Sequence, residues 1–495
     1  MIDYISEKQL SIEDFKTPFH NSLSPDNRWV KLSEVVPWDV FAELYISLMN
    51  SKRGRPGISP RIVLGALIIK HKENLSDEKT ILSIQENIYM QFFVGLDGFQ
   101  TKKIFDPSLF VTIRKRIGKD AFDQLNVELI KSISKDKDVK HKSKKKDADK
   151  YPPNKGNLQA DATVADQYIT FPTDSKLLNT SRKKLDKMID KLYYASKESY
   201  TKPRTYRRVL DHEFLVYSKK RKKGKKTHRK MVRKLLESVN RNINFVTKML
   251  PNQEALHLGK DYPLSKKDIE LFEVIKLLYR QQKQMYDENT NTVKNRIVSI
   301  FQNHVRPILR GKENARVEFG AKLGVSLDNG FARINNFSWN AYYEGDDLIM
   351  QVKSYFNIHG YYPELVLVDK AYPNRKNRKW LKEKGIRITA PALGRKSKKT
   401  TQYQKAKRKK EYAERNHIEA KFGQGKNGYN LNKIRAKLKE TSESWVSCIF
   451  FVMNLVNYQR KFSLALIIKY VFRIKLQIID FLKSLQTTKL LWHTN

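Results

Sequence analysis

The sequence predicts a mixed β-sheet with flanking helices, interrupted by a large helical insertion and preceded by an all-α N-terminal region. Three observations predict it. Apolar residues recur at helical spacing up to about residue 130. From Ala315 onward, short alternating or all-apolar runs alternate with helical ones. Between these regions, residues 175–312 are long, charged and helical in pattern.

The N-terminal helices are read from their starts. Ser59-Pro60 is an N-cap followed by Pro at the first helical position, and Ile62, Val63, Ala66 and Leu67 follow at helical spacing. A second helix starts at Ser76, with Asp77 and Glu78 favourably placed at the positive end of its dipole and Ile81, Ile84 and Ile88 on its apolar face. A third opens at Asp106-Pro107, stops near Gly118 and carries Arg114, Lys115 and Arg116. A DNA-contacting domain and a helical bundle with a solvated basic face both fit this region. Residues 131–156 read as a linker, Lys-rich and ending in two prolines.

The sheet elements follow. Leu158 to Phe171 is short and β-compatible. Residues 315–339 alternate around Asn329-Gly330, a strong hairpin signal. Asp346-Asp347 starts a helix to about His359, and PELVLVDKAY reads as a strand buried on both faces. NRKNRKWLKEKG is a helix and IRITAP a further strand; 394–410 is strongly basic, and helix resumes near Glu411 and continues with breaks to about residue 485.

Charge narrows the partner. The 495 residues hold 97 Lys+Arg against 52 Asp+Glu, a net charge of +45, which attracts a polyanion at long range. The longest strongly apolar stretch, Trp445 to Gln459, falls short of the ~18 residues that suggest a membrane span, so DNA is the expected partner and a membrane is not. Residues Lys219 to Lys230 hold nine basic residues of twelve; Lys219, Lys220, Arg221, Lys222 and Lys223, with Arg114 and Arg116, are candidate phosphate contacts. One cysteine, Cys448, precludes a disulfide framework within the chain and fits a reducing cytosol, and the N-terminus has no signal-peptide pattern.

Three carboxylates are candidates for chemistry. Asp369 directly follows the apolar run Leu365 to Val368, where a carboxylate is costly unless a cation or a loop cap offsets its desolvation. Asp161 sits in the β-compatible segment after the linker, with Asp166 and Asp174 as nearby competitors: Asp166 lies on the opposite strand face and Asp174 reads as a turn residue or helix N-cap. Glu419 shares one helical face with Tyr412, Arg415 and Lys426, at offsets of seven, four and seven residues. Ordinary i,i+4 ion pairing would also explain Arg415 with Glu419. Gly423 and Gly425 weaken the helix, which places Lys426 just beyond its end. No Cys/His cluster competes for zinc, and His417 is a weak catalytic candidate.

The Tyr412, Arg415, Glu419, Lys426 spacing resembles the last motif of bacterial insertion-sequence transposases of the DDE type. The strings DATV at 161–164, FPTD at 171–174, DKAY at 369–372 and KFGQGK at 421–426 are similar too, as are SPRIVLGALI and FDPSLF to the N-terminal domain of that group. The resemblance covers most of residues 30–460. It implies an RNase H-like catalytic core in which Asp161, Asp369 and Glu419 bind two Mg²⁺ ions, with Mn²⁺ as a substitute, while Tyr412, Arg415 and Lys426 orient the phosphate backbone. The implied division is a helical, DNA end-binding region at 1–130, a linker at 131–156, a catalytic domain formed by 157–175 and 313–460, a basic helical insertion at 176–312, and a helical tail at 461–495. The implied activity is cleavage and strand transfer at the element's terminal inverted repeats, by at least a homodimer, in a bacterial cytoplasm on nucleoid DNA. A catalytically inactive DNA-binding descendant and a Mg²⁺ nuclease of the same fold are the alternatives.

Overall fold

The computed structural model describes residues 15–16, 22–49, 57–138, 153–195, 201–250, 263–309, 317–390 and 401–462. Most of the Lys-rich linker (139–152), the basic residues 391–400 and most of the C-terminal tail (463–495) lie outside the described residues.

The N-terminal helices are α1 (Arg28–Ser33), α2 (Trp38–Ser47), α3 (Pro60–Lys72), α4 (Asp77–Glu86), α5 (Ile88–Phe93) and α6 (Leu109–Asp138). Gly118 has φ 68° and ψ −173°, so α6 is two helices meeting at a break. The stop expected at Gly118 is therefore this break, and helix resumes beyond it into the expected linker.

The sheet comprises β1 (Asn157–Asp166), β2 (Arg306–Leu309), β3 (Val317–Asp328), β4 (Phe331–Ser338), β5 (Leu365–Val368) and β6 (Arg387–Ile388). β1 is central: it pairs antiparallel with β3 and parallel with β5, which pairs parallel with β6. β4 and β2 share the other edge of β3, β4 along Lys322–Asp328 and β2 along Val317–Gly320. Asn329 and Gly330 turn the β3–β4 hairpin with φ 49° and 80°, as a primed turn needs. This mixed sheet, covered by helices and preceded by a helical region, is consistent with the RNase H-like fold of DDE transposases.

Among the described residues four helices separate β1 from the hairpin: α7 (Asp174–Ala195), α8 (Arg207–Lys219), α9 (Lys225–Met249) and α10 (Lys266–Asp287). They bury a core of their own around Leu185, Ile189, Leu235, Val239 and Ile275. β2 was not expected from the sequence.

One face of the sheet is covered by α11 (Leu348–His359) and α12 (Arg375–Glu383), around Ala160, Val352, Val366 and Leu381. On the other, the N-terminal helices, β3, β4 and a helix over 439–462 form one continuous apolar cluster. A polar tie runs through that cluster. Ala332 N donates to Asn454 Oδ1 (2.9 Å), and Asn454 Nδ2 donates to Ala332 O (2.6 Å) and to Asn126 Oδ1 (2.7 Å).

Before the 439–462 helix runs α13 (Gln402–Gly428). It begins earlier than expected, because exposed basic residues 402–410 continue the helix without an apolar stripe to mark it. It also runs through Gly423 and Gly425, so Lys426 lies inside the helix and not beyond its end. Gly425 is there for close packing: a Cβ would sit 3.2 Å from Leu431 Cδ2 and 3.4 Å from Met453 Sδ.

Candidate active site

β1, β5 and α13 converge on an acidic site. The parallel pairing runs from Asn157↔Leu365 to Ala160↔Val368. Asp161 comes one residue later in β1 and Asp369 directly after the end of β5, near enough for its charge to act on Asp161. Helix α13 packs against both strands. It delivers Arg415, whose Nη2 lies 3.0 Å from Glu419 Oε1 and whose Nη1 lies 3.9 Å from Asp369 Oδ1. One guanidinium thus joins the second and third carboxylates, both about half exposed.

Asp161 is the least comfortable of the acids. Ala162 N donates to its Oδ1 at 2.8 Å, which favours the ionised form. Burial outweighs that, and the negative charges of Glu344 and then Asp369 add to it, so its pKa is pushed up to about 6 despite Arg415. Glu344 lies in the 3₁₀ turn Glu344–Asp347 before α11, and Lys322 Nζ pairs with it at 2.8 Å. Sequence reasoning missed Glu344: the acidic string EGDD was read only as a helix start, although it is the sole acidic run between hairpin and helix. Tyr372, of the DKAY string, is buried beside these acids; burial, with Asp161 and Glu344, raises its pKa and keeps its hydroxyl protonated.

The other candidates lie elsewhere. Lys426 Nζ is 3.1 Å from Glu318 Oε1 and 3.7 Å from Asp166 Oδ2, away from Arg415 and Glu419. Tyr412 is exposed on the same helix. Asp174 accepts from Arg296 Nη2 (2.7 Å) and Gln282 Nε2 (3.0 Å), a packing role in the insertion. Lys219, Lys220, Arg221, Lys222 and Lys223 are exposed around the α8–α9 turn, and Arg116 is exposed on α6. Arg114 does not fit the phosphate-contact expectation. Its guanidinium is buried, binds both carboxylate oxygens of Asp77 at 2.9 and 2.7 Å, and stacks 5.1 Å from Trp445.

The donor chemistry suits a hard divalent cation. Every acceptor is a carboxylate oxygen, and the least exposed member, half-buried Asp161, is destabilised by desolvation and by like charge that a cation would relieve. Among the described residues no three acidic, His or Cys side chains are drawn close enough to hold one ion. Arg415 supplies the compensating charge between Asp369 and Glu419 instead.

Comparison with known proteins finds transposase models at both ends of the chain. A family model described as a transposase DDE domain matches residues 366–456, which include Asp369, Arg415, Glu419 and Lys426 but not Asp161. A second, described as a transposase domain (DUF772), matches residues 17–116. An uncharacterized protein, ORF8 in the nfe locus of Rhizobium meliloti, is 28% identical over 180 residues, 36% of this chain and 81% of that protein. No solved structure matches. Among the described residues no helix is long and apolar enough to cross a membrane. With transposase models matched at both ends and a mixed sheet in the chain, the protein is similar to the insertion-sequence transposases of the DDE type.

Proposed function

We propose that this transposase cuts DNA at the terminal inverted repeats of its element and joins the freed 3′ ends to target DNA, using Asp161, Asp369 and Glu419 as ligands for two Mg²⁺ ions. The observation that supports the reading is that Asp161 and Asp369 each follow the paired positions Ala160 and Val368, while Arg415 pairs with Glu419 at 3.0 Å and lies 3.9 Å from Asp369.

Ions bound there would activate the attacking water or 3′-hydroxyl and stabilise the leaving 3′-oxygen. The chain's own groups prepare the rest. Half-buried Asp161 holds its proton more tightly than an ordinary carboxylate and gives it up most readily when a cation or Arg415 offsets its neighbours. Arg415 can turn its fork from the carboxylates to a phosphate oxygen, which matches guanidinium geometry. Tyr372 stays protonated and keeps the floor beneath Asp161 neutral. The exposed Lys219–Lys223 turn and Arg116 bind backbone phosphates, which positions DNA without reading its sequence. Paired ends call for at least two copies of the chain, working in the cytoplasm on nucleoid DNA.

The test is cleavage of duplexes carrying the element's own ends by the full-length protein, with and without Mg²⁺. Nicking at the end boundary that needs Mg²⁺ is expected. Equal cutting of unrelated duplexes would favour a general nuclease, and absent cutting with intact binding an inactive descendant.

A further inference from the structure

The chain leaves a group of aromatic rings in water where β1 gives way to the insertion. Tyr168, Phe171 and Phe301 are 61%, 65% and 56% exposed. They line one cleft of about 380 Å³, between the segment that leads from β1 into α7 and the segment 298–302 ahead of β2. Phe171 is braced from the sheet, its ring edge-on to Phe319 at 5.6 Å between centroids. A single exposed ring is ordinary, but three around one cleft form an apolar patch of the kind that marks a binding surface.

Cations surround these rings. Lys433 Nζ lies 5.1 Å from the Tyr168 ring centroid, and Lys184 Nζ lies 5.0 Å from that of Phe301. Lys176 and Lys437 line the cleft, exposed and without an ion pair among the described residues. No Asp or Glu lines it. Gln302 does; it is 6% exposed, and its Oε1 has no hydrogen-bond partner among the described residues. An occupant should therefore bring a flat apolar face for the rings, negative charge for the lysines, and an N–H donor for Gln302 once its amide turns toward the cleft. A nucleotide brings all three. Within a duplex each base face is covered by its neighbours, so only an unpaired base can stack on a side chain.

We propose that this cleft binds unpaired bases of a DNA strand, stacked on Phe171, Phe301 and Tyr168, with Lys176 and Lys437 on the adjoining phosphates. Asp166, at the end of β1, is five residues past Asp161, about 17 Å along the strand, and the cleft begins beyond it. A base next to a phosphate held at Asp161 falls well short of that distance. The nucleotides bound here belong to single-stranded DNA several positions away from the cut. That the partner is DNA rests on the function proposed above; that the cleft takes it unpaired goes beyond that function.

The experiment uses the full-length protein without Mg²⁺, so cleavage plays no part. Wild type, Phe171→Ala, Phe301→Ala, Phe301→Tyr, Lys176→Gln and Tyr194→Ala are titrated with a single-stranded oligonucleotide containing 2-aminopurine and with a duplex of equal length. Tyr194 is exposed but does not line the cleft, and serves as the control. Wild type should quench the 2-aminopurine as it stacks. Phe171→Ala and Phe301→Ala should bind the single strand about fivefold or more weakly, with less quenching, while duplex affinity holds. Phe301→Tyr and Tyr194→Ala should behave as wild type, and Lys176→Gln should weaken single-strand binding with a shallower salt slope. Single-strand affinity and quenching unchanged in both alanine variants would overturn the proposal, as would a parallel loss on single strand and duplex. Wild type that binds duplex but not single strand overturns this proposal alone; wild type that binds neither also removes DNA as the partner. Should Phe301→Ala not fold, Phe171→Ala and Lys176→Gln decide by the same readouts.

Discussion

Asp161 in β1 and Asp369, just past the end of the parallel strand β5, each follow the paired positions Ala160 and Val368, and the charge of Asp369 acts on Asp161. Two carboxylates so placed repel, and the repulsion falls on the more buried, Asp161, whose pKa is raised to about 6 by burial, Glu344 and Asp369.

Asp161→Asn is therefore expected to stabilise the metal-free protein, by on the order of 1–3 kcal/mol near neutral pH. The sign follows from proton counts. Through the window from the ordinary 3.8 up to about 6, the folded chain keeps a proton on Asp161 that the unfolded chain has released, so stability falls as pH rises. Above that window the cost is complete; below it there is none. Urea unfolding across pH checks this, and Mg²⁺ should stabilise wild type more than the variant. A variant less stable than wild type at neutral pH would contradict it.

Asn454→Ala is expected to loosen the helical region from the sheet. It removes hydrogen bonds to Ala332 and Asn126 at 2.6–2.9 Å inside the shared core and leaves Ala332 N without its partner. The cost should be about 2–4 kcal/mol, from a buried donor left unpaired. Urea unfolding measures it, and Asn457→Ala, at a more exposed position on the same helix, should cost much less.

Part of this was legible in the sequence because the signals were local. Asn329-Gly330 names its own turn, and the apolar run Leu365–Val368 marks the strand that ends at Asp369. What stayed hidden is set by residues that are distant in the chain and meet only in the fold. β2 is four residues of edge strand containing Pro307, with Leu309 exposed, so it has no alternation to read. Glu344 matters only because the fold brings its turn to Asp161. Arg114 looked like a phosphate ligand until Asp77 and Trp445, far apart in sequence, closed over it. Lys426 matches a motif by spacing, yet Glu318 and Asp166 hold it, because β1 and β3 pass beneath that turn of α13.

Changing Lys219, Lys220, Arg221, Lys222 and Lys223 together to Gln is expected to weaken duplex binding and leave sequence preference alone. The log–log salt slope should flatten by roughly 1 for each phosphate that is no longer neutralised. Arg116→Gln should act the same way on a smaller scale. Arg114→Gln should instead lower stability, since it takes the two-pronged guanidinium from half-buried Asp77 and leaves Lys70 as its remaining cation. Binding titrations across salt separate the two kinds of effect; a loss of end preference at unchanged non-specific affinity would contradict the first.

The central claim is that Asp161, Asp369 and Glu419 form one metal-binding catalytic set. The most direct measurement is strand cleavage by Asp161→Asn, Asp369→Asn and Glu419→Gln beside Asp166→Asn and Asp174→Asn, with duplex binding measured for each. Removing one oxygen ligand and its charge should lower cleavage by about a thousandfold or more, because in-line displacement needs charge stabilised at both oxygens. Binding should hold, since it rests on the basic surface. The two control variants should keep most activity, because Asp166 faces Lys426 and Asp174 faces Arg296 and Gln282. Full cleavage by all three acid variants, or a dead Asp166→Asn beside an active Asp161→Asn, would contradict the assignment.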